Sequence, residues 1–579
     1  MRNSGNDVPR SRRRFLLGSA ALMGVTGFAR EAPSATRSRA WSKSADVVVV
    51  GSGAAGLAAA LSAASRGNQV IVIEKAPAIG GTTAKSDGAY WIPNNHIMRQ
   101  AGIADPKNDA IRYMVRVSYP ALYRDDDPRW GVGEREYELI EAYYDNAAGA
   151  IEALESMNAL LSTTVALPDY LDHVPTNKPM RQRILLPKKT DGNYGNGREL
   201  VRQLRLKLEA GRIEVLTKHA ASRVERNARG EVIGLTVKSA DGESLMQAKK
   251  AVVFASGGFT HDPDMVLNFQ PGPNWGGCAV PTNQGDFVRL GIETGAMLGN
   301  MVGAWRAELV LESALESPSV ARDVWQPPGD SMILVNKYGQ RVVNEKRNYN
   351  ERTRVHFEYD PVESEFPNML LFMIYDQRTA DLFAGNFPLP EPGDRQGYVI
   401  DARGISSLRS AIQDRLNSHA KRIGKITLSP DFADALTRQV DRFNQDAARG
   451  VDLQFMRGKY PYDTEWHSII NSKERTDTTW PPNRTSNPTV HAIDKNGPLY
   501  AIILAAGTLD TNGGPVINGK AQVLDTHGRP IPGLYGAGNC IASPAAQGYW
   551  GAGGTIGPAL TFGYLAGLGA SGEPAKEDT

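Results

Sequence analysis

The run Ala45-Asp46-Val47-Val48-Val49-Val50, followed at once by Gly51-Ser52-Gly53-Ala54-Ala55-Gly56, constrains this chain more than any other segment. A continuous β-branched run predicts a parallel strand buried on both faces. Leu57 to Arg66, rich in Ala and Leu, reads as a helix stopped by Gly67-Asn68. Gln69 to Ile73 then reads as a second strand ending in Glu74. The glycines have separate tasks in such a unit. Gly51 permits the tight turn, Gly53 lets backbone N–H groups approach a pyrophosphate, and Gly56 allows close helix–strand packing. Ala54 and Ala55 complete that turn. Glu74, 18 residues beyond Gly56, stands where an acid accepts hydrogen bonds from a ribose hydroxyl, with Lys75 beside it.

Three further glycine elements recur along the chain. Gly80-Gly81-Thr82-Thr83-Ala84-Lys85-Ser86, with Asp87 and Gly88, is a small-residue loop able to lie against a diphosphate. Ala251 to Gly258 runs a strand into Ala255-Ser256-Gly257, and Gly533 to Asn539 repeats the device at Gly538-Asn539. Each alone is a glycine turn. Together they resemble the two-dinucleotide-binding-domain flavoproteins of the fumarate reductase/ketosteroid dehydrogenase branch, over residues 45–570. That resemblance implies FAD, held noncovalently because the 80–88 loop has no His to attach it. It further implies cofactor contacts at Ala220, Asp286 and Gly554-Thr555-Ile556. The implied fold class is α/β: a Rossmann-like FAD-binding domain (45–310 and 487–570) with an inserted α+β catalytic domain (311–486) that caps the substrate. Residues 571–579 are left as a tail. Residues 105–165 read as mostly helical, with an aromatic stripe at Tyr137, Tyr143 and Tyr144.

Flavin oxidation beside a carbonyl needs a donor to the carbonyl oxygen, a base for the α-proton, a hydride acceptor and exclusion of water. Tyr549-Trp550-Gly551-Ala552-Gly553-Gly554-Thr555-Ile556-Gly557-Pro558 resembles the closing motif of 3-ketosteroid Δ1-dehydrogenases. The resemblance implies that the Tyr549 hydroxyl and the Gly553 N–H hold the keto oxygen. Trp550 stands where that family usually has Pro, a difference bearing on pocket shape. Ile333 to Tyr349 reads as a strand–turn–strand ending in Asn344-Glu345. Five residues beyond that Asn, fumarate reductases place an Arg proton donor and ketosteroid dehydrogenases a Tyr base. Here the position is Tyr349, expected to act as a tyrosinate with its pKa lowered by neighbouring donors. Arg347 and Arg352 flank it, and either fills the position if the register slips. Ala142-Tyr143-Tyr144-Asp145 fits the family's third tyrosine, making Tyr143 the assisting residue, although a core role suits it equally. Ser86 to Asn95 resembles a family stretch in which Asp87 replaces a Gly.

The remaining sequence bounds the alternatives. The chain has 579 residues, 41% hydrophobic, enough for two domains and a large core. Ser11-Arg12-Arg13-Arg14-Phe15-Leu16-Leu17 and the apolar stretch after it resemble a twin-arginine export signal over residues 1–29, followed by a linker at 30–44. A periplasmic location is therefore expected. Without residues 1–29, 60 Lys+Arg face 62 Asp+Glu, which gives no electrostatic case for nucleic acid. No spanning helix is expected in the mature chain. Cys278 and Cys540 stand alone, and no clustered His/Cys marks a metal. The expected activity is desaturation of a cyclic ketone, most like 3-ketosteroid Δ1-dehydrogenation, with a smaller cyclohexanone-type ring also open. Two other readings stay open: a periplasmic reductase of an activated alkene such as fumarate or urocanate, and a flavoprotein without turnover. A quinone or a small carrier would each serve as electron acceptor. The sequence leaves the oligomeric state open.

Overall fold

A computed structural model describes residues 40–470, 478–481 and 483–578. The export segment at 1–29 and most of the 30–44 linker lie outside the described residues. From Trp41 onward the chain is tied to the body: the Ser42 N–H donates to Leu245 O at 2.8 Å, and the first strand begins at Lys43.

The Val-rich run forms the strand Lys43–Val50, centrally placed in an eight-stranded sheet. Val70–Glu74 lies parallel on one side, with Val47 opposite Val70. Gly242–Phe254 lies parallel on the other, with Val50 opposite Phe254. Pro530–Gly536 and Glu214–Thr217 extend the parallel order outward. Val47, Val48 and Val49 have no exposed surface, as expected of a strand covered on both faces. The helix Ala54–Ala64 covers one face and packs against Ile556–Gly572. Glycine makes that approach possible. A Cβ at Gly563 would collide with the Ala55 carbonyl, and one at Gly567 with the Ala59 carbonyl. Residues 571–578 are anchored too, since the Lys576 N–H donates to Lys249 O at 2.8 Å.

A second, five-stranded sheet is antiparallel and ordered Ala304–Val310, Pro498–Thr511, Leu370–Asp376, Met332–Val335, with Val399–Arg403 also on Pro498–Thr511. Its edge and its spine come from the strands by which the chain enters and leaves this layer. The sheet therefore reaches beyond the 311–486 interval at both ends. Helices Ile405–Ile423 and Phe432–Ala448 cover it through Leu408, Ile412, Leu436 and Phe443. The strand–turn–strand expected at 333–349 is corrected: after Met332–Val335 only a single bridge, Val335 to Arg341, continues the ladder. The cause is charge turned inward. Arg341 binds Glu345 at 2.8 Å and Asp452 at 2.9 Å, so these side chains leave no alternating apolar face for a strand.

Candidate active site

The first sheet's turns build a cradle at the C-terminal ends of its strands. Gly51 has φ +103°, and a Cβ there would strike the Ala255 carbonyl. A Cβ at Gly56 would strike the Gly51 carbonyl. Gly53 differs: a Cβ there would meet Thr83 Oγ1 at 3.4 Å, an ordinary contact without collision. The helix begins there without a side-chain cap, an end that suits a diphosphate. Ala54 N–H donates to Thr83 Oγ1 at 3.1 Å, which fastens the second loop to the first. In that loop Gly80 and Gly81 have positive φ. Thr82 Oγ1 accepts from Val280 N–H at 3.2 Å. Ser86 Oγ donates to Thr83 O at 2.7 Å and accepts from Gly88 N–H at 3.1 Å.

Glu74 is buried. One carboxylate oxygen accepts from Ser52 N–H at 3.0 Å and Ser52 Oγ at 2.6 Å, the other from Ala76 N–H at 2.7 Å. His219 N–H donates to Glu74 O at 2.9 Å, which brings Ala220 alongside. Lys75 Nζ binds Asp286 at 3.1 Å, so these two predicted contacts hold each other. A residue the sequence reading missed links the rest. Asp510, 1% exposed, accepts from Gly258 N–H at 2.9 Å, Asn283 Nδ2 at 2.7 Å and Asn539 Nδ2 at 3.2 Å. It thus ties the Ala255-Ser256-Gly257 turn to Gly538-Asn539. Its signal was available: polar and glycine residues interrupt an otherwise apolar strand at 507–514. Asn539 Oδ1 accepts from Trp305 Nε1 at 3.1 Å, and a cavity lies among Trp305, Gly538, Asn539, Thr555 and Pro558. Glycine turns with open space at Gly81, a helix N-terminus and a buried acid at the second strand fit FAD.

Beside this cradle lie three phenols. Tyr349 Oη donates to Tyr549 Oη at 3.1 Å, and Tyr170 Oη lies 2.8 Å from Tyr349 Oη. The Tyr170 and Tyr549 rings stack with centroids 5.1 Å apart. All three are at most 5% exposed. Tyr349 opens the short helix Tyr349–Thr353, whose N-cap Asn348 accepts from Glu351 N–H at 3.1 Å. Arg352 anchors that helix through Glu308 at 2.6 Å. Tyr170 is fixed by its neighbours. Asp169 accepts from Trp91 Nε1 and Arg183 Nη1, both at 2.8 Å, while Asp172 accepts from Tyr462 N–H at 2.7 Å.

Two expectations are corrected here. Tyr143 is not the third phenol: its hydroxyl donates to the Trp91 carbonyl, and its ring stacks on Trp550 at 5.2 Å. Tyr170 takes the place beside Tyr349, from a loop without periodicity that offered no sequence signal. Nor is a phenol pKa lowered. Burial pushes Tyr349 well above its ordinary value, and neighbouring Tyr170 and Tyr549 add to this. Burial likewise pushes Tyr549 up to about 12, against the opposing hydrogen bonds from Tyr349 and Thr555. The neighbours are neutral phenols, not cations. Asp87 retains solvent contact, yet the surrounding walls desolvate it and raise its carboxyl. It acts electrostatically on Tyr549.

Gly553 lies at φ +87°, where a Cβ would collide with Tyr90 N, and its carbonyl accepts from Trp91 N–H at 3.0 Å. Only glycine fits that turn. Gly554 N–H donates to Gly551 O at 2.9 Å, and Thr555 and Ile556 open the helix packed on Ala54–Ala64. Arg347 is bound to Asp172 at 3.2 Å and Asp463 at 3.5 Å. With Arg352 held by Glu308, both flanking guanidiniums are committed to carboxylates.

A family model described as an FAD binding domain matches residues 46–556. This chain belongs to that family. Its cofactor is FAD, and it is an oxidoreductase of the fumarate reductase/ketosteroid dehydrogenase branch. The flavoprotein is 30% identical to a 4-oxocyclohexanecarboxylate 2-dehydrogenase of Sinomonas cyclohexanicum, covering 92% of this chain and 94% of that one. It is 31% identical to a 3-oxosteroid 1-dehydrogenase of Mycolicibacterium smegmatis, over 90% of this chain and 96% of the other. A solved 3-ketosteroid Δ1-dehydrogenase of Sterolibacterium denitrificans superposes with TM-score 0.74 at 25% identity, covering 91% of this chain and 99% of that structure.

Proposed function

We propose that this flavoprotein desaturates a cyclic ketone between its α- and β-carbons. The carrying observation is the phenol chain: Tyr170, Tyr349 and Tyr549 within hydrogen-bond reach of one another, with both neighbouring arginines bound elsewhere. The kinship to two ring-ketone dehydrogenases supports the same chemistry. Gly51, Gly53, Gly56, Glu74 and the 80–88 loop would hold FAD, which when bound supplies the acceptor for a hydride from the β-carbon.

The raised phenol pKa values favour a neutral relay over a standing tyrosinate. Tyr549 donates its proton to the keto oxygen, assisted by the Gly553 N–H. Tyr349 passes its proton to Tyr549 across their 3.1 Å contact and takes the α-proton in exchange. The net change of the relay is ketone to enol, with no residue left charged; once the β-hydride has left, the enol oxygen gives up its proton and the enone remains. Tyr170 keeps Tyr349 oriented. The ring lies in an aromatic enclosure, since Tyr170 meets Tyr462 at 5.5 Å and Trp466 at 5.9 Å, and Trp305 meets Tyr549 at 5.1 Å. Those walls exclude the water that would compete for the relay.

Reduction of an activated diacid instead calls for a proton-donating guanidinium at the position Tyr349 holds, and the two arginines flanking that position, Arg347 and Arg352, are each bound to carboxylates. We place the enzyme outside the cytoplasm on the strength of the twin-arginine segment. Anaerobic mixing of the yellow holoenzyme with cyclohexanone and with a 3-ketosteroid tests the activity. Bleaching by a ketone supports it; oxidation of the reduced enzyme by fumarate, with no bleaching by any ketone, refutes it.

A further inference from the structure

Six arginines are buried among the described residues: Arg183, Arg306, Arg341, Arg352, Arg378 and Arg457. Five of them lie within ion-pair distance of a carboxylate: Arg183 with Asp105 and Asp169, Arg341 with Glu345 and Asp452, Arg352 with Glu308, Arg378 with Asp330, and Arg457 with Glu345. Arg306 has no such partner. It is 6% exposed. Its Nη2 donates to Gln270 Oε1 at 3.0 Å and Val302 O at 3.1 Å, both neutral. Its Nη1 is buried without any hydrogen-bond partner, and its guanidinium stacks on Phe357 at 4.4 Å.

A buried charge without a counter-charge is costly, and arginine does not escape by losing its proton. Burial and then the nearby Arg354 pull Arg306 down to about 10, which still leaves it cationic at neutral pH. Arg354 is itself paired with Glu351 at 3.3 Å, so the charge that lacks an anion is that of Arg306. Arg354 is about a third exposed, 35%, and its Nη2 donates to Gln547 Oε1 at 2.9 Å, so the pair opens toward solvent on that side.

The location adds a direction. Arg306 N–H donates to Asn350 Oδ1 at 3.0 Å, and Asn350 follows Tyr349. Gln547 is two residues before Tyr549. The preceding Trp305 packs on the Tyr549 ring, and the strand pairing shifts register between Trp305 and Arg306, a local irregularity that re-aims a side chain. The Arg306 backbone is thus tied to the Tyr349 segment, and its guanidinium faces Arg354, which reaches the segment leading to Tyr549 through Gln547.

We infer that Arg306, assisted by Arg354, binds a carboxylate next to the ketone site. The group belongs either to an acid-bearing ring ketone or to a separate small carboxylate bound alongside. This deepens the ketone reading and rests on it for the substrate, while the binding site itself stands without turnover.

The test uses the holoenzyme and cyclohexanecarboxylate, which has no ketone to oxidise, with its methyl ester as the neutral control. The acid, and not the ester, perturbs the flavin spectrum or raises the melting temperature of the wild type. Arg306→Met weakens that binding about 10- to 100-fold, the range for loss of hydrogen bonds to a charged group. Arg306→Lys retains part of it, and Arg354→Met, which leaves Arg306 in place, weakens it less. Should Arg306→Met lose its flavin, the Lys and Arg354 variants decide. Steady-state rates separate the sources. If the acid sits on the substrate, Arg306→Met lowers the preference for 4-oxocyclohexanecarboxylate over cyclohexanone 10- to 100-fold, chiefly through KM. If the acid is separate, that preference is unchanged and cyclohexanecarboxylate alters cyclohexanone turnover only in the wild type. Equal binding of the acid and ester, or of the acid by wild type and by all three variants, overturns the inference. An enzyme that bleaches with no ketone yet binds the acid through Arg306 would refute the activity and leave the site standing.

Discussion

Which tyrosines touch decides the chemistry, residue by residue. Tyr349→Phe removes the relay oxygen and is expected to lower ketone-dependent flavin reduction about 10²- to 10⁴-fold, the usual worth of a general acid–base group. FAD content, read from the visible spectrum, stays at one per chain. Tyr143→Phe tests whether Tyr143 lies outside the chemistry. Its hydroxyl serves the Trp91 carbonyl, so the change costs about 1 kcal/mol of stability in denaturant unfolding and leaves the reductive half-reaction near wild type. A comparable collapse of rate in both variants would restore Tyr143 to the chemistry. The relay also has a pH signature. Because burial raises Tyr349 and Tyr549, neither phenol ionises near neutrality, and the rate of flavin reduction is expected to be flat between about pH 6 and 9. A tyrosinate base would instead give a tenfold rise per pH unit below its pKa.

At the scale of elements, the site depends on two short, irregular segments held by charges. The helix Tyr349–Thr353 is five residues long, too short to be stable alone, and Arg352 pins it to Glu308. Arg352→Met leaves the buried Glu308 carboxylate with only His356 at 3.5 Å, at a cost of up to about 3–5 kcal/mol. The expected result is a lower unfolding midpoint together with loss of the Tyr349 function. These segments also show where sequence and structure part. The Gly51–Gly56 turn and its strands were legible because backbone sterics dictate glycine there and period and composition mark the strands. Tyr549 and Gly553 were legible through the resemblance of the 549–558 motif to 3-ketosteroid Δ1-dehydrogenases, and the positive φ at Gly553 accounts for the glycine there. Tyr170 was not, since its position comes from Asp169 and Asp172 reaching partners elsewhere in the chain. Spacing along the chain carries no trace of such contacts. The broken ladder after Val335 was hidden similarly: inward-facing Arg341 and Glu345 look like ordinary turn polarity until Asp452 is brought to them.

Across the whole molecule, two sheets meet around an aromatic enclosure, and the strand Pro498–Thr511 connects the layers. It forms the spine of the second sheet and carries near its end Asp510, which secures the cradle of the first. Burying so many phenols has a global consequence. Tyr113, Tyr143, Tyr170 and Tyr349 are all raised by burial, and Tyr549 to about 12. In the unfolded chain each titrates near 10. Stability contributed by these neutral phenols is therefore full below about pH 10 and lost as pH rises toward 12. Chemical denaturation at stepped pH is expected to show that decline, shallower in Tyr349→Phe.

The decisive experiment is stopped-flow absorbance of the oxidised holoenzyme mixed anaerobically with a cyclic ketone, in wild type and Tyr349→Phe. The phenol relay predicts rapid loss of the yellow flavin band in the first and at least a hundredfold slower loss in the second. Equal bleaching in both, or none by any ketone while fumarate reoxidises the reduced enzyme, would contradict it.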